Sequence, residues 1–393
     1  NAEKYNFDAS VDNFDLGRLL KNDSIGKITA KAKIKGTGFN PKTANAIVDA
    51  NIIKANFNNY TYQNLAVDGK INNGFFNAKA NIKDPNLQFD LVSSGSFKDK
   101  YPKGKIRLNV DIADLNKLNL HAGVLKIKGN LDADIQSGDL DYLNGKASIH
   151  NLIIANEKDQ FATDSITVVA ISTAEQNSIV LKSQFMDAEF LGKYKLSTIA
   201  NSVRNSISNY YNLKNTSKNV PYGKQQLAFK VNVKSTPVLL KIIPDLKSLE
   251  PISITGRYNS ENDSIVVNGS IPKLVYGANT IANGVIKIDK KDNALLYSLS
   301  VDQIKNASIE LPKTSISGQL ADNVLGYALL IKDFKNKDRY QIAGKLKAVE
   351  GGNEISLDPS KLLLNYENWM LSEENKIRFA NNAIYVNHFE LSK

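Results

Sequence analysis

The sequence predicts an all-β protein, an elongated, curved antiparallel sheet with a few short crossing helices. Three observations carry this expectation. Apolar and polar residues alternate through most of the chain. In FFNAKANIK at 75 to 83, Phe76, Ala78, Ala80 and Ile82 share one phase, while Asn77, Lys79, Asn81 and Lys83 share the other. Turn signals punctuate the alternating runs, as NNG does at 72 to 74 and KDP at 83 to 85. The spacing of runs and turns leaves room for roughly twenty strands, mostly antiparallel neighbours.

Taken in order, LQFDL at 87 to 91 aligns Leu87, Phe89 and Leu91, and IRLNVDI at 106 to 112 aligns Ile106, Leu108, Val110 and Ile112. LKIKGNLDADI at 125 to 135 aligns Ile127, Leu131, Ala133 and Ile135. Further on, LAFKVNVK at 227 to 234 presents Leu227, Phe229, Val231 and Val233, and LYSLSV at 296 to 301 presents Tyr297, Leu299 and Val301. YQIAGKLKA at 340 to 348 opens on Tyr340 and Ile342. Two stretches read as helices instead. LSTIANSVRNSISNYYNL at 196 to 213 sets Leu196, Ile199, Ala200, Val203, Ile207, Tyr210 and Tyr211 on one stripe, with Ser197 as N-cap. TPVLLKII at 236 to 243 is capped by Thr236, has Pro237 in its first turn and is ended by Pro244.

An internal repeat organises the chain. A D-L-x-x-L turn precedes a strand ending in Gly three times: Asp15 and Leu19 before KIKG, Asp114 and Leu118 before KIKG, Asp245 and Leu249 before SITG. The unequal spacing argues against a rigid short-period solenoid or propeller, and an aspartate at such a place reads as a helix N-cap. The expected divisions are β-groove units at 1 to 112, 113 to 195 and 216 to 393, with an amphipathic helix at 196 to 215 between the last two.

Composition narrows the function classes. The chain is 42% hydrophobic and 23% charged, which excludes wholesale disorder and an integral membrane bundle. The longest apolar runs, such as ITVVAI at 166 to 171, fall far short of a bilayer span. The chain begins without Met or an apolar leader, so it reads as processed or as a middle portion of a longer protein. A net charge of +10 suits anionic partners, but the lysines sit at every second strand position, as Lys31, Lys33 and Lys35 do, which is the habit of a solvated face. The aromatics follow the apolar phase rather than the lysines, so nucleic acid is not expected as a partner.

Signals for catalysis are missing. Cysteine is absent, and the three histidines, His121, His150 and His388, are isolated in sequence. GDLDYLNGK at 138 to 146 is too long between its glycines for a phosphate loop, and neither Ser nor Thr follows Lys146. Asp132, Asp134, Asp139 and Asp141 lie near one another without the spacing of a calcium loop, and read as an outward strand face followed by a turn. The expectation is a protein that is not an enzyme and uses no cofactor or metal.

One-sided strands in such number must either pack two sheets face to face or leave one curved face for something else. The apolar phase is often small, as at Ala32, Ala78, Ala80 and Ala133, which favours the second arrangement. An open apolar trough of that size needs a greasy ligand. The residues proposed to line it are those aligned above, from Phe76 through Ile342. Ile199, Val203, Ile207 and Tyr210 form a possible plug.

The D-L-x-x-L turns, the helix ending in NYYNL, the TPVLLKIIPDL segment and the stretch SLDPSKLLLNYENWMLSEENKIRFANNAIYVNHFEL, with Trp369, Asn375, Ile377, Ile384, Phe389 and Leu391, resemble the AsmA-like proteins. Within them the chain is most similar to the TamB translocation and assembly modules of Gram-negative envelopes, in their Bacteroidota form. The resemblance implies a β-taco in the periplasm, between inner and outer membranes, that carries phospholipid and supports outer-membrane biogenesis. It also implies an inner-membrane anchor and an outer-membrane barrel partner, both reached through regions outside this chain. A chaperone-like groove for outer-membrane protein assembly and a structural β-rich surface module with a dry core are the alternatives.

Overall fold

A computed structural model describes residues 3–212, 222–380 and 383–393. Among these residues there are 26 strands and three helices. In chain order the first elements are β1 (Lys4–Asp15), α1 (Leu16–Leu20), β2 (Ile25–Thr37), β3 (Asn45–Phe57), β4 (Tyr60–Asn72), β5 (Phe75–Lys83), β6 (Leu87–Ser96), β7 (Lys103–Asp114), β8 (Lys126–Ser137), β9 (Asn144–Ala155), β10 (Gln160–Thr163), β11 (Ile166–Ser172) and β12 (Asn177–Lys182). There follow β13 (Met186–Gly192), α2 (Ile199–Tyr210), β14 (Gln226–Val233), α3 (Pro237–Ile242), β15 (Leu246–Leu249), β16 (Ile252–Asn259), β17 (Ser264–Tyr276), β18 (Asn279–Lys291) and β19 (Ala294–Lys305). The last are β20 (Glu310–Ala321), β21 (Val324–Lys332), β22 (Asp338–Val349), β23 (Gly352–Leu364), β24 (Glu367–Asn368), β25 (Lys376–Ala380) and β26 (Ala383–Asn387). The surplus over twenty comes from short strands such as β10, β15 and β24.

The chain groups into two compact units. Unit 1 holds residues 1–174, 178–184 and 236–244, and unit 2 holds 175–177, 185–235 and 245–393. In unit 1, β1 to β9 form a consecutive antiparallel meander, and β10 and β11 both pair with the far edge of β9. In unit 2, β13, β14 and β16 to β23 run antiparallel in order, followed by β25 and β26. The second half of β17 takes β15 instead of β16 as its partner.

The local reasons match the sequence patterns. Asn73 and Gly74 turn β4 into β5 with φ of 47° and 84°, the left-handed pair that a tight hairpin needs. Asp15 caps α1 by accepting from the Arg18 N–H at 2.9 Å, as the repeat predicted, whereas Asp114 accepts from the Lys117 N–H at 3.2 Å across a turn that forms no helix. The third copy lacks even that turn. Asp245 lies at φ 64°, and Leu246 and Leu249 are buried on strand β15, so that copy caps no helix. Burial of both leucines against β17 outweighs the turn preference.

Both helices are shorter than expected. α2 begins at Ile199 behind Thr198, which makes no side-chain capping bond, so neither Leu196 nor Ser197 has the predicted role. Residues 213 to 215 of the predicted helix lie outside the described residues, as do 381 and 382 of the terminal stretch. Thr236 precedes α3 without a capping bond.

Turns on one rim of unit 1 are fastened by Asp84, which is fully buried. Its carboxylate accepts from the Tyr60 hydroxyl at 2.5 Å, the Gln63 N–H at 3.0 Å and the Asn86 N–H at 2.8 Å. Burial, then the bond to Asp84, raises the Tyr60 pKa, which keeps the phenol protonated as donor. We expect Asp84→Ala to strand these donors and cost about 2–4 kcal/mol, with Asp84→Asn losing less, read as a shift in urea midpoint.

Candidate functional site

Residues directly opposite in an antiparallel ladder share a face, so the pairings can be followed from strand to strand. Through unit 1 one such row runs Ala9, Ala32, Ala50, Val67 and Ala80 on β1 to β5. It continues through Leu91, Leu108, Leu131, Ile149 and Ile166 on β6 to β9 and β11. All ten positions are apolar, and none is buried. At about 4.8 Å per strand the stripe is roughly 43 Å long. The next row on the same face runs from Phe7 and Ile34 through Ala78, Ser93, Ile106 and Ala133 to Val168, with Ser93 its one polar side chain. Ile82, Phe89 and Val110 continue a third row, and Phe76 and Ile135 a fourth.

Unit 2 repeats the design. Ala188, Val231, Ile254, Gly269 and Ile286 lead to Leu299, Ile316, Leu329, Ile342 and Leu362 across ten strands, again without a polar side chain. Leu299 and Ile316 in its middle are 42% and 37% exposed. A parallel row alternates rings with glycines. Phe229 lies over Gly256, Tyr297 over Gly318 and Tyr327 over Gly344, so closely that an added Cβ would stand 2.4, 2.8 and 2.7 Å from the respective ring or hydroxyl. The Tyr297 hydroxyl donates to the Gly326 carbonyl at 3.1 Å. Burial raises the pKa of Tyr297 and Tyr327, so these phenols remain neutral and the row stays greasy.

Most of the residues aligned from sequence fall into these rows. Leu87 and Ile127 join through Ala113, Leu227 meets Tyr258, and Val233 lies between Met186 and Ile252. Val301 and Tyr340 lie in one row through Thr314 and Ile331. Ile112 departs from its expected phase. A register shift leaves Asp111 unopposed, so Ile112 faces Gln88 and Ala113 takes the place opposite Leu87 and Ile127. Tyr258, Ile265 and Leu295, which sequence reading missed, form a buried cluster with Tyr210.

That cluster is where α2 lies on the apolar face. Ile199 and Val203 pack against it, together with Leu227, Val267, Ile288 and Leu320. Ile207 is 37% exposed and sits at the margin. The inward stripe is therefore rotated from the predicted one, with Ser202 and Ser206 buried in its place. Both hydroxyls hydrogen-bond the Tyr258 hydroxyl, at 2.7 and 3.0 Å, and Ser206 donates to Asp263 at 2.6 Å. Polar side chains face inward because the sheet supplies their partners. In unit 1, α3 covers Leu152 and Ile154 through Val238, with Ile242 beside it.

The opposite face is wet. Arg107 pairs with Asp132 at 3.2 Å and Lys105 with Asp134 at 3.4 Å, while Asp139 accepts from the Asp141 N–H inside the following turn. These aspartates are therefore an outward face and a turn, and among the described residues no cluster of His, Asp or Glu is arranged to hold a metal ion. No described helix is long and apolar enough to cross a membrane.

Fold and site together define an all-β protein of open antiparallel strands, each of whose two units carries an apolar face that is incompletely covered. Comparison with known proteins finds no matching family model, no matching curated protein and no matching solved structure.

Proposed function

We propose that this chain is a lipid conduit of the TamB-like type, in which phospholipid tails lie along the apolar rows in the periplasm while the wet face meets water. The observation that carries the reading is the ten-residue row of unit 1, apolar throughout and nowhere buried. Moving a two-tailed lipid of some 30 methylenes bare through water costs roughly 25 kcal/mol at about 0.8 kcal/mol each. An apolar stripe longer than the about 15 Å of one leaflet's tails removes most of that barrier without a deep pocket to trap cargo. The anchor to the inner membrane and the outer-membrane barrel partner belong to the same proposal, as does support of outer-membrane biogenesis.

A photo-crosslinking residue at Ala80 tests it against the same residue at Lys79, one position along and on the other face. We expect lipid adducts at position 80 and none at 79. Polypeptide adducts at 80 would favour a chaperone groove, and adducts at neither site a structural module.

A further inference from the structure

The turns after β19, β21 and β23 stand side by side on one rim of unit 2, because alternate turns of an antiparallel meander share a rim. Their apolar residues lie in water. Ile309 is 53% exposed, and Phe334, at 72%, is the most exposed large apolar side chain among the described residues. The turns that carry them are braced. Asn306 accepts from the Ser308 and Ile309 N–H groups, both at 2.8 Å, and Asp333 from the Lys335 and Lys337 N–H groups, both at 2.9 Å. Neighbouring turns are also tied to one another: the Tyr366 hydroxyl donates to Asp333 at 3.0 Å, Lys313 Nζ to Asn336 at 3.1 Å and Arg339 Nε to Asn365 at 3.3 Å. Phe334 thus stands on a fixed tip.

Cations stand beside these tips. Lys313, Lys335, Lys337 and Arg339 form no ion pair among the described residues, whereas the nearby carboxylates are engaged: Asp333 by the bonds above, Asp338 by Lys332 at 2.8 Å and Glu310 by Lys305 at 3.0 Å. The rim is therefore locally basic. Lys337 Nζ lies 5.1 Å from the Tyr366 centroid, and the Arg339 guanidinium lies 5.2 and 5.9 Å from those of Tyr340 and Tyr366. Those contacts hold the cations close to the turns.

We propose that this rim docks on the surface of an anionic lipid bilayer, with Phe334 and Ile309 entering the headgroup layer and Lys335, Lys337 and Arg339 facing lipid phosphates. The proposal concerns a surface that the chain rests on, and it stands whether or not the apolar rows carry anything. Charge complementarity selects the partner: unpaired cations around a bare apolar tip are what a negatively charged interface attracts and then holds. Single-stranded nucleic acid fits less well, because it stacks on rings in series. Here Ile309 cannot stack on a base, and Tyr366 already lies under Lys337 and Arg339.

The chain has no cysteine, so Phe334→Cys gives a single site for an environment-sensitive dye, and Asn293→Cys on the turn after β18 places the same dye on the opposite rim. With the full chain, vesicles of phosphatidylcholine containing phosphatidylglycerol should blue-shift the dye at position 334 and not at 293, and pure phosphatidylcholine should shift neither. In flotation with the mixed vesicles, Phe334→Ser should lower bound protein about tenfold. Lys335→Ser and Lys337→Ser should each lower it about fivefold, and arginine at the same two positions should preserve it. Equal shifts at both rims, an equal shift on neutral vesicles, or serine variants that float like wild type overturn the proposal and leave the conduit standing. A shift at 334 with an oligonucleotide and none with vesicles overturns it in favour of nucleic acid. All the altered side chains are exposed, and a melting curve matching wild type confirms that each variant folds.

Discussion

Ala80→Asp and Ala50→Asp, made singly, will each reduce co-purified lipid by about two orders of magnitude while shifting stability by less than about 1 kcal/mol. Both positions lie in the unburied row of unit 1, so a carboxylate there stays hydrated in the empty protein and strands nothing. Once tails fill the row, the same charge faces hydrocarbon, at a cost of about 2.5–3.5 kcal/mol on insertion scales. That converts to roughly a hundredfold in occupancy. Asn81→Asp on the same strand points the other way and should leave lipid unchanged. The sign pattern separates a trough from a core. Were the rows packed against a second layer, Ala80→Asp would unfold the protein, and a collapse in melting temperature with lost expression would defeat the conduit reading.

The strand phases were legible because one face must be wet and the other dry, and β5 shows this from Phe76 to Lys83. Register was less legible. Nothing local in IRLNVDI marks the extra residue at Asp111, because a bulge is a property of two strands, so the phase count carried Ile112 to the wrong partner. Continuity of the rows is likewise a property of many ladders together. Ala9 in KYNFDASVDNFD is one small residue until Ala32 and Ala50 are found beside it. Small residues do cluster, however, since four alanines and Val67 fill the β1 to β5 half of the row and leucine and isoleucine the remainder. The α2 stripe misled for a related reason. Hydrophobicity alone places Ile207 inward, whereas Ser202 and Ser206 turn in to reach the Tyr258 hydroxyl and Asp263, partners that lie more than fifty residues away in sequence.

That same polar seam makes α2 separable from the sheet beneath it. The helix is held by Ile199, Val203 and Tyr210 against the apolar face, and by Asp263, whose carboxylate takes Ser206 and Asn209 and whose carbonyl takes the Tyr210 hydroxyl at 2.8 Å. Asp263→Ala removes two of these bonds, and Val203→Asp forces a charge against Leu295 and its neighbours. Each bond to a carboxylate contributes about 1.5–3 kcal/mol, and the partly buried Val203 about 1 kcal/mol or more. The double variant should therefore release α2, with amide exchange of residues 199 to 210 accelerating by three orders of magnitude or more. The strands β17 to β20 are stitched by their own ladders and should keep their protection. Releasing the helix also uncovers Ile288 and Leu320, so a photo-crosslinker at Leu320 should capture lipid in the variant and not in wild type. A helix that serves only to brace the sheet would give a different result, with protection falling together in α2 and the strands and no gain of lipid at position 320. That outcome would remove α2 as a plug and leave it as part of the wall.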